Sequence, residues 1–218
     1  MSHKDSITMN HPRSKVKSMT SQELSTAPNT MRNVSFAVVD FETTGLNPET
    51  DRIVQLAAII VNGEGEIVDS FDTIVKPESP AEYQHGAEHI HGISIEQVSD
   101  GMPLRKALEQ LWSINAGHVF TAHNAAFDLG FLHAESERVG IKGQVEVHID
   151  TLELSRRTTG ADTSRRHNLF ALCEHYGIER GQVHDAKSDA TATAQLLMHL
   201  IKELGVDSPD QVAELFTP

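Results

Sequence analysis

The chain has 218 residues, 39% of them hydrophobic, a formal net charge of −13 and one cysteine, Cys173. These values suit one globular domain with a sizeable core plus a tail, and a lone cysteine excludes an internal disulfide framework and fits a reducing compartment. No apolar run approaches the roughly 20 residues that a membrane span needs, and the N-terminus lacks a signal peptide's hydrophobic segment, so no membrane partner and a cytoplasmic location are expected.

Residues 1–33 are rich in Ser, Thr, Asn, Met and Lys without a sustained apolar period, and they read as a disordered extension. They carry +3, which leaves −16 on residues 34–218. A protein that grips nucleic acid by net charge is usually basic. A polyanionic ligand would therefore have to be drawn in by bound metal and local basic patches.

Residues 38–45, Val-Val-Asp-Phe-Glu-Thr-Thr-Gly, read as a short apolar strand ending in two acids and a glycine turn. Residues 52–62 are a second, central strand, and Asn62-Gly63-Glu64-Gly65 is a tight hairpin turn. Residues 66–75 alternate as a third strand, so this half of the sheet is an antiparallel meander. A loop-rich connection at 77–92 carries His85, His89 and His91. Residues 103–112 fit an amphipathic helix, 119–123 a fourth strand, and a helix follows from about Asn124 to a stop before Gly140. Residues 145–151 give a fifth strand, paired parallel to the fourth through that helix. Beyond it, Arg156-Arg157 and Arg165-Arg166 bracket a Thr/Gly-rich loop, where they either hold phosphates or stay solvated. Helices follow at 169–176, where Cys173 reads as a small buried apolar residue, at 186–204, and in a short capped piece at 208–216. The expected fold class is α/β, a mixed five-stranded sheet flanked by helices, divided as extension 1–33, domain 34–204 and short C-terminal helix or tail 205–218.

The acids are placed unusually. Side chains alternate along a strand, so Asp40 and Glu42 point the same way while Val39 and Phe41 enter the opposite layer. Two like charges that close need a proton or a cation between them. Asp128 falls in a first helical turn, where the dipole favours an anion, yet shares a face with Leu132. In the last helix Asp189, Thr193, Leu196 and Leu200 follow one another at helical spacing, which puts Asp189 on the inward face. A buried carboxylate needs compensation. An arginine would serve, though none stands nearby in sequence, and so would a cation shared with the other acids. Asp40, Glu42, Asp128 and Asp189 together make an all-oxygen site suited to Mg²⁺ or Mn²⁺. Two such ions, about 3.5–4 Å apart, can act on both sides of a phosphodiester. His184, five residues before Asp189, is the candidate base, and Asp185 reads as the N-cap of the last helix.

On these residues the sequence resembles a known family. Asp40-x-Glu42, His123-Asn124-x-x-Phe127-Asp128 and His184-x-x-x-x-Asp189 are similar to the three exonuclease motifs of the DEDDh 3′→5′ exonucleases, relatives of the epsilon proofreading subunit of bacterial DNA polymerase III. The likeness extends from about residue 35 to 204. It implies a ribonuclease H-like fold, two divalent cations and release of nucleoside monophosphates from a 3′ end. It assigns Asp40, Glu42, Asp128 and Asp189 as metal ligands, His184 as the base, and Thr43, Thr44, Ile90, His91 and Phe127 to substrate binding. Single-stranded DNA 3′ ends are the expected substrate, with a DNA polymerase as candidate partner. An exoribonuclease of the ribonuclease T kind and a non-catalytic nucleic-acid-binding module are the alternatives. The epsilon subunit carries a polymerase-docking tail after its last long helix, where this sequence shows residues 205–218. Residues 211–216 are similar to a sliding-clamp-binding peptide with its spacing off by one; the competing reading is a plain packed helix.

Overall fold

The structure, a computed structural model of the chain, describes residues 30–79, 82–159 and 164–217. Residues 1–29 of the expected extension and 160–163 of the Thr/Gly-rich loop lie outside the described residues. Met31–Asn33 form a single 3-10 turn whose Met31 packs on the core.

Among the described residues six strands make one mixed sheet: β1 (Ser35–Thr43), β2 (Ile53–Asn62), β3 (Ile67–Lys76), β4 (Met102–Pro103), β5 (Val119–Ala122) and β6 (His148–Asp150), in the order β4-β3-β2-β1-β5-β6. The meander β1-β2-β3 is antiparallel, and β1-β5-β6 run parallel. The expected strand count of five is corrected to six. The extra strand is two residues of β4 lying parallel to Val75 and Lys76, too short to leave a period in the sequence. The strand expected over 145–151 contracts to His148–Asp150, because Thr151 already opens a helix.

The helices are α1 (Glu88–His91), α2 (Ile95–Asp100), α3 (Leu104–Asn115), α4 (Ala125–Arg138), α5 (Thr151–Thr159), α6 (Leu169–Tyr176) and α7 (Ala186–Glu203), with a 3-10 helix at Pro209–Leu215. None among the described residues is long and apolar enough to cross a membrane. Strand β2 is buried at every position because the sheet is covered on both faces. One face, with Phe36, Val38, Ile59 and Val61, packs on α7 and α6; the other, with Val39, Phe41, Leu56 and Ala58, packs on α3 and α4. Burying each of these valine, leucine, isoleucine and phenylalanine side chains stabilises the fold by roughly 1.5–3 kcal/mol. The alternation of β1 therefore sends Asp40 and Glu42 to the α7 side, as expected from its pattern. Cys173 is buried among this apolar set. Val212 and Leu215 of the C-terminal 3-10 helix are buried too, Phe216 packs against the same core, and Thr217 bridges to His148, while Ala213 and Glu214 are exposed.

Candidate active site

Three element ends converge on one place. The last turns of β1 bring Asp40 and Glu42, the first turn of α4 brings Asp128, and the first turn of α7 brings Asp189. Both helix N-termini therefore direct their partial positive charge toward acids. Asp128 and Asp189 are buried, as are Thr193, Leu196 and Leu200 on the inward face of α7. His184 joins them: ligand atoms of Glu42, His184 and Asp189 lie within 4.8 Å of one another.

The electrostatics follow from this crowding. Burial, followed by the charges of Asp128, Asp189 and Glu42, holds Asp40 well above the usual carboxylate range, with Arg180 pulling the other way. Glu42 is pushed up to about 7, first by burial and then by Asp189 and Asp185. Burial also raises Asp128, against the backbone hydrogen bonds of Asp128 and Phe41, and Asp150 and Glu42 add to the rise. Each acid makes its neighbours harder to ionise.

Arg180 corrects one expectation. Its Nη2 donates to Oδ1 of Asp189 at 2.5 Å, so an arginine does compensate this carboxylate. It lies nine residues upstream, and the turn between Gly177 and α7 folds it back. That single guanidinium faces a cluster of four acids, so the donor set still fits hard divalent cations, which prefer oxygen ligands.

The supporting residues are specific. Asp185 caps α7, accepting from the Ser188 amide at 3.0 Å. It also accepts from Nε2 of Gln55 at 2.9 Å, while Oε1 of Gln55 accepts from the Ala186 amide at 3.1 Å. Burial pushes the Asp185 carboxyl up, but these donors outweigh it and leave the net shift downward. Gln55 thus joins the sheet to the turn that carries His184 and Asp189. Asn124 precedes α4 but does not cap it through its side chain. The carboxylate of Asp150 takes that place, accepting from the amides of Asn124 at 2.9 Å, Ala125 at 3.1 Å and, at the start of α5, Leu152 at 2.9 Å.

Among the described residues three non-glycine positions have left-handed backbone: Ala87 (φ 57°), Asn124 (φ 68°) and His184 (φ 58°). Each belongs to a segment that carries a candidate site residue. Such conformations cost free energy and persist where the surroundings enforce them, often at functional sites.

The residues assigned to substrate binding divide into two kinds. The Thr43 hydroxyl donates to the Gly45 carbonyl at 2.6 Å and that of Thr44 to Asp51 at 3.1 Å, so both hydroxyls shape the turn. A Cβ at Gly45 would meet the Asp51 carboxylate at 2.5 Å, so a larger residue there would have to displace the side chain that Thr44 bonds. His91 is buried; its Nδ1 accepts from the Ile93 amide at 3.0 Å and its Nε2 donates to the Gly86 carbonyl at 3.0 Å. Those two partners fix one neutral tautomer. Gly86 in turn lies against the turn after β1, since a Cβ there would meet the Thr44 carbonyl at 2.4 Å. Ile90 is half exposed, Leu46 is 83% exposed, and Phe127 packs on Phe131 with ring centres 4.9 Å apart. Of the paired arginines, Arg156 pairs with Glu153, Arg157 donates to the Glu214 carbonyl, and Arg165 reaches Thr158 and Tyr176.

Known proteins share this arrangement of sequence and fold. The sequence model of the exonuclease family (RNase_T) matches residues 37–197. The chain is 35% identical over 174 residues to the PolC-type DNA polymerase III of Staphylococcus saprophyticus, covering 80% of this chain and 12% of that protein. It is 36% identical over 170 residues to the PolC-type DNA polymerase III of Oceanobacillus iheyensis, covering 78% and 12%. It therefore spans about an eighth of the length of these curated relatives. The fold matches the nuclease domain of 3′hExo, a DEDDh family member bound to rAMP, with TM-score 0.67 and 19% identity over 78% of this chain and 92% of that one. It also matches E. coli Exonuclease I in complex with a dT13 oligonucleotide, with TM-score 0.67 and 20% identity over 79% and 42%. The chain belongs to the exonuclease family.

Proposed function

We propose that the chain removes nucleoside monophosphates from single-stranded DNA 3′ ends in a reaction that depends on two divalent cations, Mg²⁺ or Mn²⁺. The observation that carries this reading is the meeting of Asp40, Glu42, Asp128 and Asp189, with a ring nitrogen of His184 within 4.8 Å of oxygens of Glu42 and Asp189. Asp40, Glu42, Asp128 and Asp189 would hold the ions, which when bound supply Lewis acidity at the phosphate and lower the pKa of a coordinated water.

The chain's own residues do the rest. His184 is exposed at the edge of the acids and accepts the proton of the attacking water as general base. The turn held by Thr43 and Thr44 and the segment holding His91 abut through Gly86, and they carry the exposed side chains of Leu46 and Ile90. These present apolar surface to the last bases of a strand, and Phe127 borders the same site. The acidic surface draws in a phosphate chain only when metal has offset the four carboxylates.

The PolC-type relatives support DNA as substrate and a DNA polymerase as partner. The 3′hExo neighbour, bound to rAMP, supports the exoribonuclease alternative. A non-catalytic module has no use for an imidazole beside a metal cluster. Matched 3′-labelled DNA and RNA oligonucleotides incubated with Mg²⁺ or Mn²⁺ test the reading. DNA shortened one nucleotide at a time and faster than RNA is expected; faster loss of RNA would replace DNA as the substrate. If every single-stranded substrate stays intact, the binding module takes over.

A further inference from the structure

Arg180 is tied to the acidic cluster yet incompletely anchored. Its contact with Asp189 joins two side chains that are only 12% and 11% exposed. Asp189 is also one of the three residues whose ligand atoms group within 4.8 Å. A buried arginine is usually held by a bidentate fork and several acceptors. Here Nε is buried without a hydrogen-bond partner. The guanidinium also lies by the ring of Phe170, whose centre is 5.8 Å from Cζ and which is 55% exposed. The residue itself belongs to the irregular stretch between α6 and α7, free of helical hydrogen bonds.

A guanidinium and a divalent cation cannot share this carboxylate comfortably. Both would be within bonding distance of Asp189, in a place with little water to screen their repulsion. Without metal, however, a charged Asp189 carboxylate needs compensation for the chain to fold around it.

We propose that Arg180 is a displaceable stand-in for the divalent cation: it neutralises Asp189 in the metal-free protein and gives way toward Phe170 when metal binds. This rests on the reading that residues 40, 42, 128 and 189 hold metal. Arg180 is then a positioning residue that sets how much metal the protein needs. Competition of this kind weakens the apparent metal affinity by the fraction of molecules in which the arginine is off the carboxylate.

Calorimetric titration of Mn²⁺ into wild type, Arg180→Gln and Arg180→Lys, with melting curves recorded without metal, tests the proposal. Arg180→Gln is expected to bind Mn²⁺ on the order of tenfold more tightly than wild type while melting at a lower temperature without metal. Arg180→Lys, which keeps the charge but loses the fork, should fall between. Equal or weaker Mn²⁺ binding by Arg180→Gln overturns the proposal, since it makes Arg180 a mere support for Asp189. Should Arg180→Gln fail to fold, wild type decides: the Nε–H signal of Arg180 in NMR spectra must move as Mg²⁺ is added, and a signal unchanged at saturating Mg²⁺ overturns the idea. A wild type that takes up no Mn²⁺ at all sinks the nuclease reading along with it, a result distinct from uptake with Arg180 still in place.

Discussion

Gln55 donates through Nε2 to Oδ1 of Asp185 at 2.9 Å across 130 residues of sequence, and its Oε1 accepts from the amide of Ala186. One buried amide thereby fixes the start of α7 against the centre of the sheet. Replacing it with leucine leaves a backbone N–H without its acceptor and frees the turn that carries His184. Gln55→Leu is expected to lower stability by about 1–3 kcal/mol. It should also slow turnover by roughly 10²-fold through misplacement of the base and Asp189. Denaturant unfolding and single-turnover hydrolysis check both; an unchanged rate in a destabilised variant would make Gln55 purely structural.

His184 and Asp40 should respond differently to truncation. His184→Ala removes the proposed proton acceptor and leaves the carboxylates, so metal uptake is expected to persist while turnover falls by about 10²–10⁴-fold. Asp40→Ala removes a proposed ligand, so both metal uptake and turnover are expected to be lost. Mn²⁺ titration beside a nuclease assay separates the two outcomes. Equal metal affinity in all three proteins would contradict the assignment of Asp40.

The metal-free protein should become less stable as pH rises. Glu42 binds its proton more tightly folded than unfolded, with a folded value near 7 against an ordinary 4.5. The unfolded chain releases that proton first, so stability is lost progressively as pH rises from about 4.5 through about 7. Asp40 and Asp128, also raised, act in the same direction. Divalent cations should reverse the trend, because ligand deprotonation makes metal binding tighter with rising pH. Melting temperatures from pH 5 to 8, with EDTA and with Mg²⁺, provide the check. A metal-free protein that gains stability across that range would contradict the crowding of the acids.

Gly86→Ala tests the contact between the two segments expected to receive the substrate. A Cβ there would meet the Thr44 carbonyl at 2.4 Å, so the segment holding His91 must move off the turn after β1. KM for an oligonucleotide should rise several-fold while Mn²⁺ affinity stays at the wild-type value. A loss of metal affinity instead would place this contact in the metal site.

The sequence made the acids legible because strand alternation and helical spacing each put a carboxylate where an apolar residue belongs. Asp189 on the face of Leu196 and Leu200 is the plainest case, and Asp185 as a cap follows from local rules alone. What escaped depends on partners distant in sequence or on very short elements. Gln55 interrupts an otherwise apolar strand, which is a signal, but its partners at 185 and 186 are visible only in three dimensions. Asp150 caps α5 locally, whereas its service to α4 reaches from the end of β6 to the end of the neighbouring β5, 25 and 26 residues away in sequence. The capping box of α2, Ser94 with Gln97, is present in the sequence and marks a helix that the loop-rich surroundings conceal. Arg180 was missed because the chain reverses between it and Asp189. Strand β4 consists of two residues, one of them a proline, and carries no pattern to read.

Anomalous diffraction from crystals grown with Mn²⁺ tests the central claim most directly. Strong peaks bounded by the carboxylates of Asp40, Glu42, Asp128 and Asp189 are expected, with the Arg180 guanidinium withdrawn from Asp189. Density showing these carboxylates free of Mn²⁺ at saturating concentration, with Arg180 still seated on Asp189, would contradict it.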